Sequence, residues 1–253
     1  MAPLNLARLV TVARMISVVL AAHNEEGFVA STLGDLLEGL RARGGDFEII
    51  VVENGSTDAT RAEALGVADH APEVRVLSLP NPDYGAALRA GLLDARGDIV
   101  VNFDVDYYDL TFLDRARARV GQPDHPAIVV GSKRQQGSVD NRAWPRKLVT
   151  LGFTTILHVG FGLSVSDTHG MKAMRKDAVR VLAEQCRFRT DLFDTELVIR
   201  AERAGLHVVD IPVEVTETRP SRTPIFKRAA RSVVGLARMR WVLWFERGAD
   251  LNC

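Results

Sequence analysis

The sequence contains few cysteines: Cys186 and Cys253 are the only two in 253 residues. Two thiols are too few for a disulfide framework or a thiolate metal site, so we expect a reducing, cytoplasmic setting. The sequence also has no run of about 18 uncharged apolar residues. Residues 1–15 lack the ordered charged, apolar and small-residue regions of a signal peptide. We therefore expect neither a membrane-spanning helix nor a signal peptide.

The chain also lacks an excess of charge of either sign, with 32 basic and 32 acidic residues. A balanced chain is not attracted as a whole to a polyanion, so nucleic acid is not an expected partner. Any anionic ligand must be held by a local group of basic residues. The apolar content of 47% is ordinary for a globular protein, and the length allows one large α/β domain.

Apolar runs of strand length alternate with helical patterns in the first part of the chain. These runs cover residues 16–22, 47–52, 74–79 and 99–101. Strands that alternate with helices predict right-handed βαβ crossovers and a parallel sheet, with ligands bound at the carboxyl ends of the strands.

Local signals also predict where individual helices begin and end. Gly44 is expected to end the first helix, and Ser56 or Thr57 is expected to cap the second. Thr190 or Asp191 is expected to cap a later helix that carries Asp194 and Glu196.

Each apolar run ends in polar residues, and in a parallel sheet these strand ends should meet at one crevice. Carboxylate and amide groups there can accept hydrogen bonds from ribose hydroxyls and bind a base edge. Any single polar residue at the end of a strand is more often a helix cap or a turn residue than a ligand-binding residue. The polar residues that follow the runs are His23, Asn24, Glu25, Glu53, Asn54, Asn81, Asp104 and Asp106.

Asp104 and Asp106 follow the fourth run at a spacing of two residues. In an extended strand, both side chains would point to the same face. Two close carboxylates repel unless a cation lies between them, and an all-oxygen site suits Mg²⁺ or Mn²⁺, which also binds substrate phosphate. The alternative is an ordinary solvated turn at the end of the strand.

The segments AAHNEE, VVENGSTDAT, NPDYGAALRAGL and NFDVD resemble the donor half of family 2 glycosyltransferases. Residues 129–134, 146–150, 166–177 and 193–201 are similar to polyprenyl-phosphate hexosyltransferases, such as dolichyl-phosphate mannose synthases and glucosyltransferases. The resemblance implies the GT-A fold over residues 1–223, a Rossmann-like three-layer α/β sandwich with a mostly parallel central sheet.

The resemblance also implies an activity: metal-dependent, inverting transfer of a hexose from a nucleotide-diphosphate sugar to a polyprenyl phosphate. The donor would be of the GDP-mannose or UDP-glucose type. Asp104 and Asp106 would bind Mg²⁺ or Mn²⁺. The expected donor-binding residues are His23, Asn24, Glu25, Glu53, Asn54, Asn81, Gly85, Asp104 and Lys133.

The sequence departs from the family in three places. Glu53-Asn54 stands where the family usually has two aspartates, and His169 stands where the glucosyl members have cysteine. Tyr108 replaces a glutamine that can complete the metal shell, so water or Asp109 fills that place, or the metal dependence is weaker. His169 is interpreted as a metal ligand, a proton acceptor or a structural residue.

The residues expected to bind the acceptor phosphate are Arg134, Arg146, Lys147 and Lys172. Arginine is suited to this role because it donates bidentate hydrogen bonds to phosphate. The basic stretch at 132–147 is equally well interpreted as a solvated surface loop. The apolar stretch at 148–165 is expected to be a buried helix or a ledge for a lipid tail.

The candidate catalytic carboxylates are Asp194, Asp167 and Glu196. Asp194 and Glu196 lie two residues apart on one helix, so only one should face the crevice. A hydroxyl acceptor requires a base, whereas a phosphate acceptor is already ionised near neutral pH. In the second case, catalysis depends on positioning and on stabilising the leaving diphosphate.

Residues 224–253 form a basic segment with tryptophans, which predicts an amphipathic helix on the inner membrane face, peripheral to the bilayer. Packing on the domain and a dimer contact are the alternatives, and the oligomeric state stays open. Two other functions compete with the lipid-phosphate acceptor. These are transfer to a soluble acceptor, such as a natural product or a phosphoglycerate, and non-catalytic binding of a sugar nucleotide.

Overall fold

The fold of the chain is taken from a computed structural model. It describes residues 15–132, 139–140, 144–165, 168, 170–190, 192–215 and 232–243. Within these ranges, the side chains of residues 139–140, 144–150 and 215 are not described.

The strands and helices alternate along the first half of the chain, as the apolar runs predict. The strands are β1 Ile16–Ala22, β2 Phe47–Asn54, β3 Val74–Leu79, β4 Ile99–Asp104, β5 Ile128–Ser132, β6 Val139–Asp140, β7 Lys172–Arg175, β8 Val208–Pro212 and β9 Glu214–Val215. The helices are α1 Val29–Arg43, α2 Thr60–Ala68, α3 Tyr84–Asp94, α4 Leu110–Val120, α5 Trp144–Phe161, α6 Lys176–Gln185 and α7 Phe193–Arg203. A further helix, α8, covers residues 232–243.

The main sheet has the strand order β3-β2-β1-β4-β7-β5-β8. Its neighbouring strands are parallel except at β7, which runs antiparallel to both β4 and β5. The mostly parallel sheet is therefore confirmed. The chain moves outward from β1 to β3 and then returns to the other side of β1 as β4. This reversal lies between β1 and β4, and α/β sheets bind ligands at the carboxyl ends of the strands on either side of such a point.

Helices cover both faces of the sheet, which confirms the three-layer sandwich. Successive side chains of a strand point to opposite faces. Accordingly, Val18 and Leu20 of β1 pack on the face that carries α1, α2 and α4, whereas Val19 packs on the face that carries α3, α6 and α7. All three side chains are almost fully buried. The sheet is thus apolar on both faces, as expected for parallel strands between two helical layers.

One of the expected helix caps is wrong, and another is tested only in part. Helix α2 begins at Thr60 without a side-chain cap, because Ser56 Oγ instead accepts a hydrogen bond from the backbone N–H of Asn24. Helix α7 begins at Phe193, and Leu192, the residue before it, makes no side-chain cap. Thr190 Oγ1 accepts from the N–H of Leu192 at 3.4 Å, and Asp191, the other expected cap, lies outside the described residues. The first helix ends as predicted, with Gly44 at φ +66°.

Helix α8 packs on the same apolar cluster as α7. Its residues Leu236, Met239 and Leu243 are buried, whereas Val234 and Trp241 are 70% and 65% exposed. The described part of the C-terminal segment therefore has one face in the core and one apolar face outside it. A separate membrane-binding unit over residues 224–253 stays a prediction. Within the described residues, we find no helix with the length and hydropathy that crossing a bilayer requires.

Candidate active site

The ends of the first three strands lie close together at the carboxyl edge of the sheet. Asn24 adopts a left-handed conformation, with φ +54°, and its Oδ1 accepts a hydrogen bond of 2.9 Å from the N–H of Thr57. Gly55 has φ +68°, and a Cβ there would lie 2.9 Å from the carbonyl carbon of Asn81. The backbone of the second loop thus passes directly against that of the third. The expected convergence of these polar residues is observed.

Several residues expected to bind the donor also hold these loops in place. Nδ1 of His23 donates a hydrogen bond of 2.9 Å to the carbonyl oxygen of Asn54. Oε1 of Glu53, a buried residue, accepts from the N–H of Ser56 at 2.5 Å. The backbone N–H of Glu25 donates to Thr60 Oγ1 at 2.6 Å. These contacts fix the shape of the crevice, and direct contact of these residues with a donor stays a prediction.

The aspartate pair lies in a tight turn and not on an extended strand. Strand β4 ends at Asp104, and Asp104 and Tyr107 exchange two backbone hydrogen bonds of 3.1 and 3.2 Å. Val105 points into the core, and its carbonyl oxygen accepts from Thr32 Oγ1 at 2.8 Å. Asp106 is exposed in the turn. The expectation of two carboxylates on one face of a straight strand is therefore replaced by a turn that carries both.

Tyr84 is a site residue that the sequence did not reveal. It is the first residue of α3, and its hydroxyl donates a hydrogen bond of 2.9 Å to Oδ1 of Asp104. The preceding residue, Asp83, caps this helix by accepting from the N–H of Ala86 at 3.3 Å. The only signal in the sequence was that Tyr84 follows closely after Asn81 in the third loop.

Tyr108 and Asp109 are both engaged with neighbouring helices. The hydroxyl of Tyr108 donates to Oδ2 of Asp35 on α1 at 2.6 Å. Burial, reinforced by Asp35, raises the pKa of Tyr108 to about 12. Asp109 caps α4 by accepting from the N–H of Thr111 at 2.7 Å. Both side chains thus have structural partners, and a role for water or Asp109 in the metal shell stays a prediction.

The two remaining candidate metal ligands, Asp104 and Asp106, suit a hard divalent cation. In the described part of the chain, no group of three or more His, Cys, Asp or Glu side chains is placed to enclose a metal. Asp104 and Asp106 offer oxygen atoms alone. Mg²⁺ is commonly bound by one or two carboxylates, with its other positions filled by water and substrate phosphates. This pair therefore suits an ion that binds together with a diphosphate.

The first turn of α7 is buried and polar. Oδ2 of Asp194 lies 2.8 Å from Nζ of Lys172, and neither side chain is more than 5% exposed. Nζ of Lys172 also donates to the carbonyl oxygen of Gly170 at 2.9 Å. Lys172, expected at the acceptor phosphate, is therefore enclosed in the protein and paired with an expected catalytic residue.

Glu196 is also enclosed. Its Oε2 accepts from the backbone N–H groups of Arg187 and Phe188, each at 2.8 Å. Its Oε1 accepts from Nε of Arg200 at 2.8 Å. The side chain is fully buried. These contacts tie the loop at 187–188 to α7 and give Glu196 the surroundings of a structural residue.

Gly85 lies where this same loop crosses α3. A Cβ on Gly85 would overlap the carbonyl oxygens of Arg189 and Thr190. Close backbone packing therefore explains this glycine, and its contact with a donor stays a prediction. The other expected site residues lie outside the described residues, either entirely or in their side chains. They are Lys133, Arg134, Arg146, Lys147, Asp167 and His169.

Comparison with known proteins shows the family. The model of glycosyl transferase family 2 matches residues 17–182, more than half of the chain. The chain belongs to glycosyl transferase family 2. A dolichyl-phosphate beta-glucosyltransferase of Trichomonas vaginalis is 30% identical over 223 residues, which cover 83% of this chain and 68% of that protein. The dolichyl-phosphate beta-glucosyltransferase of Drosophila melanogaster is 30% identical over 254 residues, covering 93% and 73%.

Solved structures confirm the GT-A fold. Glucosyl-3-phosphoglycerate synthase from Mycobacterium tuberculosis, in complex with Mn²⁺, uridine diphosphate and phosphoglyceric acid, matches with a TM-score of 0.64. The match covers 90% of this chain and 78% of that chain at 23% identity. At this identity, the likeness establishes the architecture alone.

Proposed function

We propose that the protein transfers glucose, with inversion, from UDP-glucose to a polyprenyl phosphate. The observation that carries the proposal is the crevice at the carboxyl edge of the sheet. There, Asp104 at the end of β4 lies beside β1, and the loops that follow β1, β2 and β3 pack on one another. Glucose is favoured over mannose because the two relatives described above are dolichyl-phosphate beta-glucosyltransferases.

The donor would bind with its diphosphate near Asp104 and Asp106. These residues would hold Mg²⁺ or Mn²⁺, which neutralises negative charge on a leaving diphosphate. The loops that carry Asn24, Asn54 and Asn81 would enclose the nucleoside. Their amide groups can both donate and accept hydrogen bonds, so they suit ribose hydroxyls and a base edge. The contacts between these loops hold the pocket in shape before the donor arrives.

A phosphate acceptor fits the buried state of the carboxylates on α7. A phosphate monoester has a second pKa of about 6, so it is largely ionised near neutral pH and needs no strong base. Asp194 and Glu196 are both engaged in buried hydrogen bonds or ion pairs. Rate enhancement would then come from holding the two substrates in line and from stabilising the diphosphate.

The acceptor-binding region is proposed from the sequence and from the exposed surface of α5. Arg134, Arg146 and Lys147 would bind the acceptor phosphate. Helix α5 exposes Leu151 and Val159, at 47% and 85%. A helix with basic residues near its start and an exposed apolar face can rest on the surface of a bilayer that contains a lipid acceptor. We therefore place the protein at the cytoplasmic membrane face as a peripheral enzyme.

The proposal is tested by following glucose from labelled UDP-glucose in the presence of Mn²⁺. The acceptors to compare are a short polyprenyl phosphate, the corresponding polyprenol and 3-phosphoglycerate. We expect transfer to the polyprenyl phosphate alone, with GDP-mannose inactive as a donor. Transfer to 3-phosphoglycerate alone would establish the soluble-acceptor alternative. No transfer to any acceptor, with donor binding intact, would favour the non-catalytic alternative.

A matched pair of variants ties the activity to the site. Asp104→Asn should lower kcat by a factor of about 100 or more, as removal of a group that stabilises transition-state charge does. Asp98→Asn is the control, because Asp98 is an exposed aspartate just before the opposite end of the same strand. Its activity should match that of the unmodified protein.

A further inference from the structure

We infer that Asp194 is a positioning residue: together with Lys172 it fixes the carbonyl group of Gly170 against β4, and it does not remove a proton from the acceptor. The inference rests on the proposed function, because it assigns a role in that reaction. It concerns a buried cluster formed by Asn102 of β4, Gly170, Lys172 of β7 and Asp194 of α7.

Gly170 is held from two strands at once. Nδ2 of Asn102 donates to its carbonyl oxygen at 3.2 Å, and Nζ of Lys172 donates to the same oxygen at 2.9 Å. Asn102 lies two residues before Asp104 on β4. Gly170 has φ +114°, a backbone conformation that residues with a side chain rarely adopt. The two hydrogen bonds therefore tie the backbone of Gly170 to β4 and β7, and β4 is the strand that ends at Asp104.

The charge of Asp194 is needed inside the cluster. Lys172 has no solvent exposure, and the Asp194 carboxylate lies 2.8 Å from its ammonium group. A buried ion pair that loses one partner leaves an uncompensated charge, which is strongly destabilising. If Asp194 took a proton in each catalytic cycle, Lys172 would become such a charge. A permanent counter-ion is the role that fits this environment.

The first turn of α7 also contacts Thr168, two residues before Gly170. Oγ1 of Thr195 lies 3.0 Å from Oγ1 of Thr168, and both side chains are fully buried. Thr168 and Gly170 are thus both anchored to α7, one directly and one through Lys172. The family resemblance places Asp167, the neighbour of Thr168, near the sugar, and implies a close backbone approach at Gly170. Asp194 would therefore affect catalysis by keeping the backbone of Gly170 in place.

A double-mutant cycle distinguishes positioning from proton transfer. The variants are Asp194→Asn, Lys172→Met and the double variant, assayed with UDP-glucose, Mn²⁺ and a short polyprenyl phosphate. We expect each single change to lower kcat by about tenfold or more, with a KM for UDP-glucose within about threefold of the unmodified value. The double variant should be no slower than the slower single variant, because it leaves no unpaired charge.

A catalytic base gives a different pattern. Its loss typically costs a factor of about 10² to 10⁴ in rate and removes the acidic limb of the pH–rate profile. Positioning leaves that limb in place in Asp194→Asn. Loss of the limb, or little effect from Lys172→Met, would overturn the inference. Glu184→Gln is the control, because Glu184 forms an exposed ion pair with Arg180 and should leave kcat unchanged.

A measurement without substrate separates this inference from the proposed function. Hydrogen exchange of the peptide that covers residues 168–172 should be faster in either single variant, and no faster in the double variant than in the faster single variant. This result would support the buried cluster even if no glucose transfer were found. Unchanged exchange in both single variants would overturn it, whatever the activity of the unmodified protein.

Discussion

The hydroxyl of Tyr84 donates a hydrogen bond of 2.9 Å to Oδ1 of Asp104, and this bond joins the start of α3 to the end of β4. Because one oxygen of Asp104 is held in this way, its carboxylate is oriented before a cation arrives. Groups that orient a metal ligand from behind typically contribute about 10- to 100-fold to metal affinity.

The first prediction concerns Tyr84. Tyr84→Phe keeps the ring and removes the donor, so Mn²⁺ should bind about tenfold more weakly in the presence of UDP. The dissociation constant can be measured by electron paramagnetic resonance of free Mn²⁺. Tyr107→Phe is the control, because the hydroxyl of Tyr107 donates to the carbonyl oxygen of Glu214 and not to an aspartate. Equal affinity in both variants would show that Tyr84 does not orient Asp104.

The second prediction concerns Glu196. Glutamine has only one side-chain oxygen, so Glu196→Gln cannot accept from both the 187–188 backbone and Arg200. Breaking a buried pair by removing one partner costs about 3–5 kcal/mol, and urea unfolding should show a loss near that range. A loss below about 0.5 kcal/mol, the size typical of surface changes, would contradict this account.

The third prediction concerns the acid stability of the opposite end of the sheet. Glu48 is buried, which alone would raise its pKa, but hydrogen bonds from Ser17, Arg96 and Arg75 outweigh burial and hold the pKa of Glu48 below its ordinary value. A depressed folded-state pKa stabilises the protein above the unfolded pKa of about 4.3. That contribution is lost as the pH falls through the folded value.

Unfolding of Glu48→Gln therefore tests this contribution. The variant should be less stable than the unmodified protein at pH 7, and the difference should shrink as the pH falls below about 4. Its glucosyl transfer at pH 7 should be unchanged, because Glu48 lies near the amino ends of the strands, away from Asp104. A stability difference that does not vary with pH would contradict the assignment.

The fourth prediction concerns membrane contact. Deleting residues 224–253 would also remove Leu236, Met239 and Leu243 from the core, so surface changes are the better test. Replacing the exposed Val234 and Trp241 together with serine should reduce flotation with anionic liposomes, because interfacial binding scales with buried apolar area. Val181→Ser on α6, another exposed position, is the control. Equal flotation of both variants would exclude α8 as the membrane contact.

The sequence predicted those elements whose signals are local. Strand β1 was recognisable because six of its seven residues are apolar, and Gly44 ended α1 because glycine tolerates its positive φ. The convergence of the strand ends followed from topology, since parallel strands connected by helices must end on one side. Asp104 could be placed at the crevice for the same reason.

The sequence did not predict features that depend on how distant segments pack. Ser56 failed as a helix cap because Asn24, 32 positions earlier, donates to its hydroxyl. The spacing of Asp194 and Glu196 predicts one exposed side chain only on a helix with one open side, whereas the first turn of α7 is buried on all sides. The contact between Tyr84 and Asp104 depends on the docking of α3 against the sheet, which no local pattern reveals.

A melting temperature tests most directly whether Asp104 and Asp106 form a donor site. A ligand at 100 times its dissociation constant stabilises the folded state by about 2.7 kcal/mol, which raises Tm by roughly 5–10 °C for a domain of this size. With Mn²⁺, we expect UDP-glucose to produce this shift, GDP-mannose to produce none, and Asp104→Ala to abolish it. An equal shift in Asp104→Ala, or no shift with any nucleotide sugar, would contradict the account.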